Sequence, residues 1–302
     1  MRDNQQLPLV SVAVVTYNQR NFLDQCLASI VEQDYPALQI VVADDASLDG
    51  TADLIASYAE GFPSKFIVRV AERNGGVTVN QNAALAACTG KYIAWIAGDD
   101  LMLPGKIAAQ VSYMEANPNC AICYHDLESF NSDSDTILGL TSDVDPQRSG
   151  GFATLVRHGQ FHGAVSSMVR RSHSPSVMDP SIKVASDWIY YVECLAQGGT
   201  INPIPGVLGR YRRHANNVTA TTDKAPRFTL FSEHLQMCAM ILARWPHSAS
   251  DVRFRMAKLI AMQRWQDGGA HYRSYLKASL AMRFSFKTVA ALIADLLFNV
   301  RR

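Results

Sequence analysis

Val10-Ser-Val-Ala-Val-Val-Thr-Tyr-Asn18 and, further on, Leu38-Gln-Ile-Val-Val-Ala-Asp-Asp45 are short β-branched runs that each end in a polar turn. Between them Phe22, Cys26, Leu27 and Ile30 fall on one helical face, so the pattern reads strand, loop, helix, strand. The unit recurs. A loop at Asp44–Gly50 leads into a helix from Thr51 to Ala59, and a strand at Phe66–Ala71 meets the turn Asn74-Gly75-Gly76. A helix from Val79 to Cys88 then precedes a strand at Tyr92–Ala97. Continuous apolar strands alternating with amphipathic helices predict an α/β fold whose parallel sheet is covered on both faces. Ligands of such sheets bind beyond the carboxyl ends of the strands. Chemistry is therefore expected in the loops after Val15, Ala43, Ala71 and Ala97.

Those loops carry Tyr17 and Asn18, Asp44 and Asp45, Arg73 and Asn74, and Asp99 and Asp100. Asp is a common turn and N-cap residue, which gives Asp44 and Asp45 a purely structural reading beside the functional one. Gly98-Asp99-Asp100 directly follows an apolar strand. Adjacent carboxylates there repel unless a cation or a ligand's donor lies between them, which points to a metal.

The chain has 302 residues, 48% hydrophobic and 18% charged, with a formal net charge of +1. This excludes disordered and low-complexity classes. The near-neutral total hides an asymmetry. Residues 1–223 hold 15 Lys and Arg against 23 Asp and Glu, whereas residues 224–302 hold 13 against 4. Six cysteines in a core-rich chain of this length fit a reduced compartment better than a disulfide framework. Cys120-Ala-Ile-Cys123 has metal-like spacing but no second pair, and it lies in an apolar run that reads as strand packing. Met1–Pro8 is polar where a signal peptide is apolar, and no stretch reaches the length of a spanning helix. A cytoplasmic protein, soluble or peripheral on a membrane, is expected.

Further along, a helix ends near Asn117-Pro118, and strands follow at Ala121–Tyr124 and Ala164–Val169. Residues 131–151 read as a long loop, which in a compact domain is usually functional. Ser186-Asp187 opens a helix through Ala196, and Ile201–Tyr211 closes the sheet. Beyond Asp223 helices take over at Phe228–Trp245, Ala249–Gln266 and Tyr272–Val300.

In order, Val10–Asn18, Asp44-Asp45-Ala-Ser-Leu-Asp49, Asn74-Gly-Gly76 with Asn82, and Gly90-Lys-Tyr-Ile93 leading into Asp99-Asp100 resemble the family 2 glycosyltransferases over about residues 8–222. The resemblance implies a GT-A fold, Rossmann-like, with a mostly parallel sheet flanked by helices, here followed by a C-terminal helical extension. It divides the chain into residues 1–222 and 223–302. It also implies an inverting enzyme that moves a sugar from a nucleotide sugar, a UDP-sugar foremost, to a saccharide or lipid-linked saccharide. Bacterial surface polysaccharide, such as lipopolysaccharide O-antigen or capsule, is the setting it suggests.

Position by position, Thr16, Tyr17, Asn18, Asp44, Asp45, Arg73, Asn74, Gly76 and Asp99 take the nucleotide-sugar roles. Tyr17 would lie against the base. Asp45, with Asp44 as the alternate, would accept a base N–H, as an acceptor-only carboxylate must. Asp100 would bind Mn²⁺ or Mg²⁺, His214 of Tyr211-Arg-Arg-His214 would reach the metal or the diphosphate, with a structural hydrogen-bonding role as the other reading, and Asp187 would be the catalytic base. The chain departs from the pattern at Gln81, where many relatives carry Arg before Asn82. Phe161-His-Gly-Ala-Val165 falls where relatives build part of the acceptor pocket, and core packing is the other reading of it.

Two rival classes are a nucleotidyltransferase, which would want a Gly-rich phosphate loop that Thr16–Arg20 lacks, and an inactive GT-A scaffold, against which the intact carboxylates argue. In residues 284–302, Phe284, Phe286, Val289, Leu292, Ile293, Leu296, Leu297 and Val300 recur at helical spacing, flanked by Arg283, Lys287, Arg301 and Arg302. Such a basic amphipathic helix suits an anionic membrane surface; packing on the enzyme or on a second copy is the alternative. Nucleic-acid binding is not expected, because no nucleic-acid motif accompanies the charge.

Overall fold

The computed structural model describes residues 7–215, 217, 224–263 and 271–298. The described chain clusters into two compact units, one of residues up to Phe152 plus Gln160–Asn217, the other of Ala153–Gly159 with the chain beyond Val218.

The first unit opens with β1 (Val10–Thr16), α1 (Arg20–Val31), β2 (Leu38–Asp44), α2 (Thr51–Gly61), β3 (Phe66–Val70), α3 (Val77–Ala87) and β4 (Tyr92–Ala97). All four strands pair in parallel, in the order β3-β2-β1-β4. The Val- and Ile-rich β1, β2 and β4 are buried on both faces, as the unbroken apolar runs require, while β3 at the edge is half exposed. Leu23, Cys26, Leu27 and Ile30 form the buried stripe of α1. Phe22, expected on that stripe, instead lies 4.6 Å from the ring of His214.

The sheet then becomes mixed. β5 (Leu101–Met102), α4 (Lys106–Ala116), β6 (Cys120–Asn131), β7 (Ile137–Leu140), α5 (Thr141–Val144), α6 (Phe152–His158), β8 (Ser167–Arg170), α7 (Ser186–Ala196) and β9 (Thr200–Arg213) complete the order β3-β2-β1-β4-β8-β6-β9-β5, with β7 on β6. β8 runs antiparallel to both neighbours. The expected strand from Ala164 is a 3₁₀ turn to Ser166 that only then extends. Residues 131–151 are not structureless. They hold the edge strand β7, which has no buried residue, and the four-residue α5, where Asp143 accepts the Leu140 N–H at 2.9 Å. A strand with no buried face leaves no apolar alternation to read. All six cysteines are buried and free; burial pushes the Cys120 thiol up to about 11, and Cys123 higher still, so this pair packs a strand.

The second unit is helical: α8 (Lys224–Arg244), α9 (Ala249–Ala261), α10 (Tyr272–Met282) and α11 (Phe286–Phe298). The third expected helix is interrupted at Arg283–Ser285, where Arg283 stacks 3.3 Å over Phe254. Arg273 pairs with Asp295 at 2.9 Å, tying α10 to α11. Phe228, Met262, Phe284 and Ile293 remain exposed. No helix among the described residues is long and apolar enough to cross a membrane. Val300, Arg301, Arg302 and the 222/223 boundary lie outside the described residues.

Lys106, on α4, is fully buried, and its ammonium donates to Gln110 Oε1 at 2.7 Å. Burial brings its pKa from 10.5 down to about 7, against a small upward pull from Cys123; His125, also facing it, is held neutral by burial and by the lysine's charge. Between pH 7 and 10.5 the unfolded chain thus binds the proton more tightly. Stability is greatest above that window and falls as pH drops through it. Lys106→Met should abolish this dependence. It should also raise stability at pH 7 by roughly 1–3 kcal/mol, the desolvation relieved exceeding the donor lost to Gln110; urea unfolding at pH 6, 8 and 9.5 checks both.

Candidate active site

Thr16 pairs with Asp44, and Val15 with Ala97, so the carboxyl ends of β1, β2 and β4 lie side by side. The loops that leave them brace one another. Asn18 adopts a left-handed φ of 51° and accepts the Leu48 N–H at 2.9 Å, while its own N–H donates to Ser47 Oγ at 2.8 Å. Asp44 accepts the Ser47 N–H at 3.0 Å and the Ser47 hydroxyl. Asp45 takes both loop glycines, the N–H of Gly75 and of Gly76, each at 2.8 Å, one on each carboxylate oxygen. Asn80, buried on α3, donates to Thr16 O at 3.1 Å and Ala43 O at 3.0 Å and so ties β1 to β2. Tyr17 is 44% exposed, and Arg73 and Asn74 are exposed as well. The Thr16 hydroxyl and Gln19 Oε1 are buried without a hydrogen-bond partner. A Cβ at Gly98 would approach these two atoms to 2.9 and 2.7 Å, so a larger residue there would displace both side chains.

Beyond Gly98 the acid pair Asp99-Asp100 is buried. Arg212 of β9 holds it from the opposite strand: its N–H donates to Asp100 Oδ1 at 3.0 Å, its Nε to Asp99 O at 2.7 Å and its Nη2 to Gln25 Oε1 at 2.6 Å. The guanidinium lies between the rings of Phe22 and Phe130, 5.0 and 4.7 Å away. His214 Nε2 contacts Asp99 Oδ2 at 2.9 Å, and Asn217 donates to the same oxygen at 3.3 Å. Burial and the neighbouring Asp99 charge hold the Asp100 carboxyl well above the usual range, against the pull of Arg212. The site is thus short of positive charge.

Asp187 sits in the first turn of α7, where the helix dipole favours an anion. Gln81 donates to its Oδ1 at 2.6 Å, and Gln160 also hydrogen-bonds the carboxylate. Burial nevertheless pushes its pKa up from the ordinary value, outweighing both hydrogen bonds. Gln160 and His162 line a cavity of about 530 Å³ with Leu138, Thr141, Tyr211 and Arg213. Both ring nitrogens of His162 are buried without a partner.

The structure therefore gathers Asp44, Asp45 and Gly76 into one braced loop cluster, and Asp99, Asp100 and His214 into another. His214 is engaged with Asp99. Asn82 clamps the main chain of Met178 through two hydrogen bonds of 2.9 and 2.7 Å and serves the fold. Arg212, Asn80 and Gln160 were not legible as site residues. Only a polar residue falling on the inward stripe of α3 could have pointed to Asn80.

The family model for glycosyl transferase family 2 matches residues 11–172. TuaG of Bacillus subtilis, described as a putative teichuronic acid biosynthesis glycosyltransferase, is 26% identical over 224 residues, which is 74% of this chain and 86% of that protein. The Mycobacterium tuberculosis protein Rv1520 is 30% identical over 224 residues, covering 71% of this chain and 62% of its own length. Among solved structures, Staphylococcus aureus TarS 1-349 in complex with UDP-GlcNAc matches with a TM-score of 0.67 at 14% identity, covering 95% of this chain and 85% of that one. The mannosyltransferase PcManGT of Pyrobaculum calidifontis, in complex with GDP-Man and Mn²⁺, gives 0.63 at 20% identity, covering 99% and 82%. At such identities these structures speak for the fold. The family model spans more than half of the chain and takes in both clustered loops and the acid pair, so the chain belongs to glycosyl transferase family 2 and is a glycosyltransferase.

Proposed function

We propose that this glycosyltransferase is inverting and metal-dependent, moving a sugar from a UDP-sugar to an acceptor hydroxyl during synthesis of a bacterial surface polysaccharide. The observation that carries the reading is the buried Asp99-Asp100 pair, only partly neutralised by Arg212, at the carboxyl edge beside the braced loops. The teichuronic acid role in TuaG's description supports a polymer acceptor, and the UDP-GlcNAc bound to TarS supports the donor.

The donor set fits a divalent cation: His214 and Asn217 engage only Oδ2 of Asp99, and Arg212 only Oδ1 of Asp100. Asp100 would hold Mn²⁺ or Mg²⁺ together with diphosphate oxygens of the donor, as hard cations with few protein ligands are held, and the ion would supply Lewis-acid neutralisation of the leaving diphosphate. His214 braces Asp99, which meets the ribose or donor sugar. Tyr17 lies against the base, and Asp45 accepts a base N–H on lone pairs that the Gly75 and Gly76 amides leave over. Thr16, Asn18, Arg73 and Asn74 complete the nucleotide side. Asp187 takes the proton of the acceptor hydroxyl as that oxygen attacks the anomeric carbon. The bond to the diphosphate breaks on the opposite face, and configuration inverts. A carboxylate pKa raised towards working pH suits this proton transfer.

We also propose that residues 1–222 form the catalytic domain and residues 223–302 a basic helical extension resting on anionic lipid. Exposed Phe284 and Ile293, beside exposed Arg283 and Lys287, favour this over burial of the whole face.

Asp100→Ala and Asp187→Asn should each slow transfer at least about 100-fold in an assay of released nucleoside diphosphate, the scale of a lost base or charge stabiliser; wild-type rates in both would refute the roles. Calorimetry should show that Mn²⁺ strengthens UDP binding in the wild type and no longer does so in Asp100→Ala. Asp45→Asn should weaken UDP binding roughly tenfold, the loss of one charge-assisted hydrogen bond, and speed hydrogen exchange at Gly75 and Gly76. Phe284→Asp combined with Ile293→Asp should release the protein from phosphatidylglycerol vesicles in a flotation assay; unchanged partitioning would favour packing or self-association of these helices.

A further inference from the structure

Gln81 stands where many relatives carry Arg, and the structure gives it a definite task. α3 buries Thr78, Gln81 and Ala84 on one side. There the Thr78 hydroxyl donates to Ile182 O at 2.5 Å and lies 2.9 Å from Ser186 Oγ, the Ser186 hydroxyl donates to Gln81 Oε1 at 2.7 Å, and Gln81 Nε2 donates to Asp187 Oδ1 at 2.6 Å. The Ser186 link fixes the last one. Because Oε1 is taken by a hydroxyl donor, the amide can only present N–H to the carboxylate. The Ser186 and Gln81 bonds point the same way and end on one oxygen of Asp187, so the first polarises the second towards stabilising the anion.

We propose that Gln81, locked by Ser186, is the positioning residue that keeps Asp187 ionised and reserves its other oxygen for the acceptor. This rests on Asp187 being the base. A carboxylate desolvated as Asp187 is would otherwise hold its proton and be useless for taking another. A neutral amide lowers that tendency without forming an ion pair that would bind the oxygen tightly, so the carboxylate remains basic. Gln160 contributes a second neutral hydrogen bond from the loop before Phe161. Tyr191, one turn further on α7, is the titratable group coupled to Asp187, and burial together with the carboxylate's charge keeps its phenol protonated.

The test is a carboxyl-carbon NMR titration of the intact, aspartate-labelled protein, with the Asp187 resonance assigned by its loss in Asp187→Asn. Gln81→Leu, close in volume, should move the Asp187 midpoint up by about 1 pH unit, the effect of one lost hydrogen bond to a buried charge. Gln81→Arg restores a donor and adds a cation, so its midpoint should return to the wild-type value or fall below it. Ser186→Ala, which frees the amide to turn, should move the midpoint in the direction of Gln81→Leu by a smaller amount and guards against a Leu variant that does not fold. A purely structural role predicts no such opposed pair. Midpoints that stay put, or that move the same way in Gln81→Leu and Gln81→Arg, overturn the proposal. Transfer activity separates the two claims. An active Asp187→Asn refutes the base and with it the use of Gln81, whereas an inactive Asp187→Asn with unmoved midpoints refutes Gln81 alone.

Discussion

Two adjacent carboxylates cannot be buried side by side without compensation, and the end of β4 is organised around that constraint. Asp99 and Asp100 follow a strand whose residues are buried, so water cannot supply the missing charge. One arginine is brought across from β9: its main-chain N–H meets the Asp100 carboxylate, its Nε meets the Asp99 carbonyl, and its charge acts on the pair from nearby. Its placement explains features otherwise unrelated: Gln25 on α1 orients the free end of Arg212, Phe22 leaves the core stripe to cover the guanidinium and His214, and the segment after β9 turns back so that His214 and Asn217 reach Asp99. The compensation stops short of neutrality for two carboxylates. Burial and mutual repulsion still hold Asp100 high, which is the condition under which a bound cation gains most.

The loops around Asp45 are braced differently, by carboxylates capping main-chain amides. Asp44, Asp45 and Asp49 each accept at least two donors from their own or a neighbouring loop, and Asn80 answers with an amide that donates to the ends of two strands. Bonds of this kind fix loop shape before any ligand arrives, so less ordering remains to be done on binding. They also show why a structural and a functional reading of Asp44 and Asp45 need not compete. A carboxylate oxygen has room for a second donor, and the amides that occupy Asp45 hold it in the orientation in which that second donor could be met.

The unbroken apolar runs of β1, β2 and β4 and the buried stripe of α1 were legible because burial on both faces leaves a composition that nothing else produces. α7 was legible to the residue, its start marked by Ser186-Asp187. Strand direction was not: β8 is buried like a parallel strand, and its reversed pairing follows a connection through a 3₁₀ turn that carries no periodicity. β7 escaped because nothing on it is buried. Among site residues, Asp99 and Asp100 stood out as carboxylates next to an apolar run, whereas Asp187 stood out only through its family position at a helix start. Arg212 did not, because an arginine in a basic stretch such as Arg210–Arg213 looks solvated until the opposite strand is in place. Gln81 was visible only as a departure from a family pattern, and its hydrogen bonds span 105 and 106 residues of sequence, beyond any local signal.

The two sides of the site differ in what their construction costs the fold to change. Donor-side geometry is written into strand ends, main-chain amides and buried polar residues such as Asn80, so altering it disturbs the sheet itself. The cavity beside Gln160 is walled in part by β7 and α5, where Ile137, Leu138 and Val144 are exposed and contribute little to the core. Substitutions there remove few buried contacts and therefore cost little stability. A wall of that kind can be reshaped while the Asp45 loops and the acid pair stay as they are. Asp187 stands where the two constructions meet, held by Gln81 of α3 and, from the cavity side, by Gln160. Its hydrogen bonds are thus the point at which a change in that wall would first be felt at the carboxylate.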